Sequence, residues 1–491
     1  MLTREKVLGC WLGKAVGGTL GQNFEGLEGP LEVDFYTPVP TEMIPNDDLD
    51  LQVLYAVKLA EQANPSVDRH WIADAWRRHV EFPWNEYGVG LRNLAEGLTP
   101  PHTGSFDNWF SCGEGAAIRS ELWACLAAGD PDRAAAYAYE DACFDHAGDG
   151  IHAAVFLARM QALAFVVSDL DALIDCGLEG VPRDSELRRA VEMVRSLIAS
   201  GANWIAAKEK VDAEFARDDF TDVRVNTAYV ILGLLAGADF SERILITNNC
   251  GADTDSTTAS LGALLGIMDP SCIDERWLAP IGRDLVLSEE VVGILAPPTL
   301  DDFTDLVLDL SKRLDGAYPP PVDDSSPAGL PIPVRLNWTN TIGGRWDIRD
   351  LSELPPEGAP PPAEEDEPIP CEIPGTWMQL HQERFEDRIL LLRYSLFSRG
   401  RARIRLMINS TVEYRVWIDG NYVHGAQGSR IMMPAPHAAP FGQAVDLDAP
   451  REGAELLVAF KRPPRHEPIA EWVVAVAEPG TGQWIPHALR P

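Results

Sequence analysis

The sequence predicts a multidomain protein: an all-α domain over residues 1–317, a proline-rich linker over 318–333 and an all-β sandwich over 334–491. Three observations carry this. Apolar residues recur at helical spacing up to about residue 315, short β-branched and aromatic runs take over beyond it, and a stretch that suits neither pattern lies between them.

Val7, Leu8, Trp11, Leu12, Ala15 and Val16 fall at i, i+3, i+4 spacing and define the first helix. Gly9, Gly13 and Gly17 lie four apart on one of its faces. A glycine inside a helix costs about 1 kcal/mol relative to alanine, so close backbone contact with another helix is the expected compensation. Val53, Leu54, Ala56, Val57, Leu59 and Ala60 repeat the helical period. Further helices are expected at about 67–80, 115–128, 132–142, 150–168, 184–199, 203–215, 222–236, 252–268 and 300–314, with Pro and Gly in the gaps. The helix at 252–268 offers Ala259, Ala263, Gly262 and Gly266 as small partners for the first helix. That packing would bring the loop at 21–25 beside residues 249–258.

Tyr318 to Pro333 contains six prolines with Asp, Ser and Gly, and continues neither helix nor sheet. After it, Ile389 to Phe397, Ala402 to Ile408, Val412 to Ile418, Asn421 to His424, Glu455 to Phe460 and Trp472 to Ala477 read as strands. Asp419-Gly420-Asn421 is a hairpin signal. Leu354 to Pro374, rich in Pro and Glu, is expected to be a mobile loop.

Composition excludes several function classes. Lys plus Arg number 41 against 75 Asp plus Glu, a net charge of −34 that repels phosphate backbones and anionic lipid surfaces. Nucleic acid and membranes are therefore not expected partners. The eight cysteines form no CxxC pair, which fits reduced thiols in a cytoplasmic protein. Glu5, Lys6 and Lys14 break up the N-terminal apolar run, contrary to a signal peptide. Ala153 to Val167, interrupted by Arg159 and Gln161, falls short of the ~20 residues of a membrane span and reads as a buried helix.

Two acidic motifs carry the chemistry. In Pro45-Asn46-Asp47-Asp48-Leu49-Asp50, Asn46 is placed to cap a helix with the acids in its first turn. In Asn249-Cys250-Gly251-Ala252-Asp253-Thr254-Asp255-Ser256, residues i and i+2 of an extended loop point the same way, so Asp253 and Asp255 can converge on one ion. Carboxylate, amide and hydroxyl oxygens are hard ligands that suit Mg²⁺, Mn²⁺ or Ca²⁺.

Gly13-x-x-x-Gly17-Gly18-Thr19-Leu20-Gly21-x-x-x-Glu25-Gly26 resembles the opening signature of the ADP-ribosylglycohydrolase family, which includes the dinitrogenase reductase-activating glycohydrolases. Asn46-Asp47-Asp48 resembles its Thr/Ser-Asp-Asp, and Gly251-Ala252-Asp253-Thr254-Asp255-Ser256 its Gly-Gly-Asp-Thr-Asp-Thr loop. Gly113-Glu114-Gly115-Ala116-Ala117-Ile118-Arg119 resembles Gly-Asn-Gly-Ala-Ala-Met-Arg, and Asp145-His146 with Gly148-Asp149-Gly150 resembles its central histidine segment.

The resemblance spans about residues 3–315 and implies a helical domain holding two Mg²⁺ ions, with Mn²⁺ or Ca²⁺ as substitutes, that cleaves the bond to C1 of a ribose. Carried over by position, Asn46, Asp47, Asp48, Asp253, Asp255 and Ser256 are metal ligands, Glu25 and Asp48 the catalytic candidates, and Gly113, Glu114, Gly115, His146 and Asp149 the substrate-contacting set. Trp84, Tyr87, Trp109 and Phe110 are candidates for stacking on a sugar or base, or for the core.

Departures from the pattern bear on the substrate. Asn46 replaces a hydroxyl ligand, Leu49 a Thr, Gly18 an Asp, and Glu114 a neutral Asn. A carboxylate at Glu114 disfavours a pyrophosphate and favours a neutral sugar over an ADP-ribosyl group. Two alternatives stay open: a glycosidase of another neutral carbohydrate, and a noncatalytic relative that binds ADP-ribose or sugar without turnover. Retention of Asp47, Asp48, Asp253 and Asp255 argues against the latter. In the C-terminal region, Val416 to Val423, Val445-Asp446-Leu447 and Glu455 to Val458 resemble galactose-binding-like jelly rolls. Such domains bind carbohydrate, pack against a catalytic domain or build oligomers.

Overall fold

A computed structural model describes residues 2–320, 345–349, 354–358, 369–370, 376–385, 388–438 and 443–490. Most of the expected linker at 318–333, and the expected loop at 354–374 apart from 354–358 and 369–370, lie outside the described residues. The chain is helical in its N-terminal region and all-β in its C-terminal region. By contacts it divides into two units: residues 1–81 with 99–321, and residues 82–98 with 322–491.

The first unit opens with α1 (Arg4–Gly21), α2 (Asp47–Glu61) and α3 (Arg69–His79). Within 82–98 lies α4 (Asn85–Ala95), which belongs to the second unit. The first unit continues through α5 (His102–Ser105), α6 (Glu121–Leu126), α7 (Pro131–Ala142), α8 (Asp149–Ala164), α9 (Leu170–Glu179), α10 (Glu186–Ala199), α11 (Trp204–Phe215), α12 (Val223–Ala236), α13 (Phe240–Asn249), α14 (Thr254–Met268), α15 (Glu275–Leu278) and α16 (Leu300–Arg313).

Capping chemistry sets many of the starts. Thr3, Asn46, Asp68, Asp130, Asp169, Ser185, Asn203, Asp222, Asp239 and Thr299 each accept a backbone N–H of the helix they precede. Helices α8, α12 and α14 are buried nearly all round, which is why their sequences are apolar without a clear polar face. The helix expected at 115–128 is a 3₁₀ turn, Ala117–Arg119, followed by the short α6. Within this turn the Arg119 guanidinium reaches back to the Gly115 carbonyl at 2.8 Å and to buried acids. No helix among the described residues is long and apolar enough to cross a membrane.

The all-β unit contains β1 (Arg345–Arg349), β2 (Ile369–Pro370), β3 (Trp377–His381), β4 (Ile389–Leu396), β5 (Arg403–Ser410), β6 (Tyr414–Ile418), β7 (Asn421–Ala426), β8 (Ala444–Asp448), β9 (Ala454–Phe460), β10 (Ile469–Ala477) and β11 (Leu489–Arg490). One antiparallel sheet runs β2-β1-β4-β9-β6-β7 with β11 beside β4, and the other β3-β10-β5-β8. Alternate residues of both sheets, including Leu390, Leu392, Ile404, Leu406, Val416, Val458, Trp472 and Val474, share one buried core. Ile389 and Leu391 of β4 instead join Trp417, Leu457 and Ala459 on the opposite face. That double burial explains the unbroken apolar run of β4. Asp419 and Gly420, both at positive φ, form the two-residue turn between β6 and β7.

Residues 82–98 are tied to this unit by side chains. Arg92 Nη1 donates to Thr376 Oγ1 at 3.3 Å, its guanidinium lies 4.9 Å from the Trp484 ring centroid, and the His487 backbone N–H donates to Glu96 at 2.6 Å.

Candidate active site

The site is set by the packing of α1 on α14. A Cβ on Gly9, Gly13 or Gly17 would run into the backbone carbonyl of Gly266, Gly262 or Thr258, so these glycines allow backbone-to-backbone contact along the helix pair. Gly21 abuts the backbone of Thr254 and Asp255, and Thr254 Oγ1 donates to its carbonyl at 2.8 Å. The packing expected from the spacing of small residues is present, with Gly262 and Gly266 opposite Gly13 and Gly9.

The loop after α1 is then stitched to the loop before α14. Gly26 N–H donates to Ala252 O at 2.9 Å, Ala252 N–H to Leu27 O at 2.8 Å, and Leu31 N–H to Asn249 O at 2.8 Å. Gly26, Gly251 and Ala252 all take positive φ in making this short ladder. As a result one carboxylate oxygen from each of Glu25, Asp253 and Asp255 lies within 4.8 Å of the others, close enough to meet on one cation. Asp253 and Asp255 are buried and Glu25 stands exposed at the rim. Burial, with the repulsion of Asp255, Glu114 and Glu25, pushes Asp253 well above the usual carboxylate range. Burial and the charges of Glu25 and Asp48 push Asp255 up to about 7, and burial with Asp47 and Asp48 does the same for Glu25.

The first motif enters from the N-terminus of α2. Asn46 Oδ1 accepts from Asp48 N–H at 2.8 Å as the helix cap, while its Nδ2 donates to Asp255 Oδ2 at 3.0 Å and so links the two motifs. Asp47 is half-buried in the first turn and Asp48 is buried. Ser256 Oγ donates to Asp48 Oδ2 at 3.3 Å. The other oxygen, Oδ1, accepts from the buried Lys14 Nζ at 3.0 Å.

Lys14 was not legible as a site residue. Its ammonium also donates to Ile118 O at 2.6 Å and Glu121 Oε1 at 3.2 Å, using all three donors. Gln52 and Gln161 donate to the two oxygens of Glu121 at 2.9 and 3.2 Å. Burial works against the ammonium, but Asp48 and Glu121 outweigh it and hold Lys14 charged. Asn226 is a second such residue: its Oδ1 accepts the Asp253 backbone N–H at 3.2 Å, and its Nδ2 donates to Phe220 O and Asp222 O at 2.8 and 3.0 Å.

The central segments take different places. Gly113 and Gly115 are buried in the loop before the 3₁₀ turn, and Glu114 between them is buried with neither carboxylate oxygen hydrogen-bonded. His146 Nδ1 pairs with Asp145 Oδ1 at 2.6 Å, and its Nε2 accepts from Ala116 N–H at 3.4 Å. Arg119 bridges Asp141 and Asp145 at 2.9 and 2.8 Å beneath them. Asp149 accepts from His152 at 3.0 Å, Ser185 Oγ at 2.7 Å and Leu187 N–H at 3.2 Å. The structure therefore brings Glu25, Asn46, Asp48, Asp253, Asp255 and Ser256 together, whereas His146 and Asp149 are engaged in hydrogen bonds of their own. Tyr87 and Phe110 are buried, and Trp84 and Trp109 half-buried.

These features define a helical domain whose acids gather at the N-termini of two helices. Residues 1–314 match the family model described as ADP-ribosylglycohydrolase, and the chain belongs to that family. Over 307 residues it is 27% identical to an uncharacterized protein of Archaeoglobus fulgidus, covering 58% of this chain and 94% of that one. A solved structure named ADP-ribosylglycohydrolase-related protein complex aligns with 21% identity and a TM-score of 0.43, over 63% of this chain and 98% of that one.

Proposed function

We propose that this chain is a divalent-metal-dependent glycohydrolase that cleaves the bond to C1 of a ribose in an ADP-ribosyl or related ribofuranoside substrate. The observation that carries the reading is the convergence of Glu25, Asp253 and Asp255 from two loops more than two hundred residues apart.

The oxygen donors suit a hard divalent cation, and the reading takes this to be two Mg²⁺ ions, with Mn²⁺ or Ca²⁺ as substitutes. Asp255 Oδ1 is buried without a hydrogen-bond partner, and a set of carboxylate and hydroxyl oxygens surrounds it. Asp47, Asp48, Asp253, Asp255 and Ser256 would supply oxygen ligands, with the Glu25 carboxylate beside Asp253 and Asp255. Asn46 braces Asp255 through its amide nitrogen while its oxygen caps α2, so direct ligation by Asn46 requires its amide to turn. When bound, the ions supply Lewis-acid polarisation and fixed points for ribose hydroxyls.

The chain's own groups do the rest. Asp48 is held in one orientation by Lys14 and Ser256. Glu25, at the open rim, takes the proton of the water that attacks C1. The C1–aglycone electron pair leaves with the aglycone, which is protonated from solvent, and oxocarbenium character develops at C1 meanwhile.

Calorimetric titration with Mg²⁺, alongside product formation from ADP-ribosylated and ribofuranoside substrates, tests the reading. Asp255→Ala is expected to abolish both metal binding and turnover. Unchanged Mg²⁺ affinity in that variant refutes the assignment.

A further inference from the structure

Two departures from the family pattern, Gly18 and Asn46, meet in the structure as one feature. A Cβ on Gly18 would stand 3.2 Å from Asn46 Nδ2 and 3.7 Å from its Cγ, so the amide of Asn46 sits in space that a side chain at position 18 would claim. Its orientation is fixed by its partners: Oδ1 accepts from Asp48 N–H at 2.8 Å and Nδ2 donates to Asp255 Oδ2 at 3.0 Å. Turning the amide would set donor against donor at Asp48 and acceptor against acceptor at Asp255, losing both bonds. Asn46 therefore offers the acids an N–H and keeps its oxygen for the helix.

The result is an imbalance among the carboxylate oxygens. Asp255 Oδ1 is buried without a hydrogen-bond partner, whereas Oδ2 carries the Asn46 amide. Both oxygens of Asp48 are taken, Oδ1 by the Lys14 ammonium at 3.0 Å and Oδ2 by the Ser256 hydroxyl at 3.3 Å. Lys14 is 1% exposed and is also anchored on Ile118 O and Glu121, so it cannot swing away from Asp48 into solvent. Glu25, Asp253 and Asp255, by contrast, each bring an oxygen within 4.8 Å of the other two.

Resting on the reading that these acids hold divalent ions, we propose that the two ion positions are unequal: Glu25, Asp253 and Asp255 take one ion tightly, and a second binds weakly because Asn46 and Lys14 already occupy oxygens it needs. An amide N–H on Asp255 Oδ2 and an ammonium on Asp48 Oδ1 stand where a second cation would otherwise draw its ligands. Such an ion has to displace them, and each hydrogen bond to a charged group is worth about a factor of ten or more in affinity. Asn46 is a positioning residue in this arrangement, and Gly18 is the residue that seats it.

The test titrates the full chain with Mg²⁺ by calorimetry and with Mn²⁺ by electron paramagnetic resonance, for the parent, Asn46→Asp and Asn46→Ser. Asp and Ser both cap helices, so α2 keeps its start, while both remove the N–H donor from Asp255. Melting in chelator verifies that each variant is folded. The parent is expected to take up one ion first, with the spectrum of isolated Mn²⁺, and a second only at about tenfold or more higher concentration. Asn46→Asp should narrow that gap about tenfold or more and give coupled Mn²⁺ pairs, and Asn46→Ser should narrow it by less. Two ions of equal affinity in the parent overturn the proposal, as does a gap that neither variant narrows. Failure of the parent to bind Mg²⁺ or Mn²⁺ at all counts instead against the metal-dependent reading, which separates the two.

Discussion

Lys14→Met removes the one ammonium that neutralises two buried acids beneath the site. Lys14 and Asp48 are each 1% exposed and Glu121 fully buried, with salt bridges of 3.0 and 3.2 Å to Lys14. Methionine keeps the apolar stem but leaves both carboxylates without a counter-ion, and breaking a buried pair by deleting one partner costs about 3–5 kcal/mol. At about 2 °C per kcal/mol for a large domain, the helical unit should melt about 6–10 °C lower. Calorimetry with excess chelator keeps metal binding out of the comparison.

The deficit should also depend on pH, with a defined sign. Burial already pushes Glu121 up to about 7 with Lys14 in place. An acid whose folded pKa is raised above its unfolded value binds more protons when native, so its stability contribution falls as pH rises between the two values. The loss in Lys14→Met is therefore smallest near pH 5 and grows as pH rises through about 7. A drop under about 2 °C, or one that does not change with pH, refutes the electrostatic argument.

Two further outcomes follow from other parts of the chain. Gly13→Ala places a Cβ into the Gly262 backbone carbonyl, which cannot yield without separating α1 from α14; chemical denaturation should show a loss of about 3 kcal/mol or more, with weakened Mg²⁺ binding. In the all-β unit, burial lowers His437 to about 4, with Glu86 only partly opposing it. The unfolded chain then binds the extra proton first, so this unit loses stability as pH falls from 6.5 toward 4, and His437→Gln should flatten that part of the melting profile.

Much of this protein is written in local patterns. A 3.6-residue period gives helices and a period near 2 gives strands because each reflects how one element presents an apolar face, and that needs no knowledge of its partners. The same holds for Asp47-Asp48, first-turn acids behind the Asn46 cap. Asp253 and Asp255 are legible as a pair, but Asp255 lies in the first turn of α14 and not in the expected extended loop, so their convergence comes from the helix start and its packing. The glycine rows of α1 and α14 even announced that these two helices would touch. Other features were decided only by packing. Lys14 carries no motif; it matters because α1 delivers it to Asp48 and Glu121, 34 and 107 residues away. Asn226 reaches the Asp253 backbone in the same way. Residues 82–98, which carry α4, belong with the strands of the second unit, an assignment made by Arg92, Glu96 and their partners rather than by any local signal. Glu114 shows the division most sharply. The sequence supplies a carboxylate, but whether it is paired depends on every donor the fold can bring within reach, and those donors come from segments whose spacing in sequence bears no relation to their spacing in the structure.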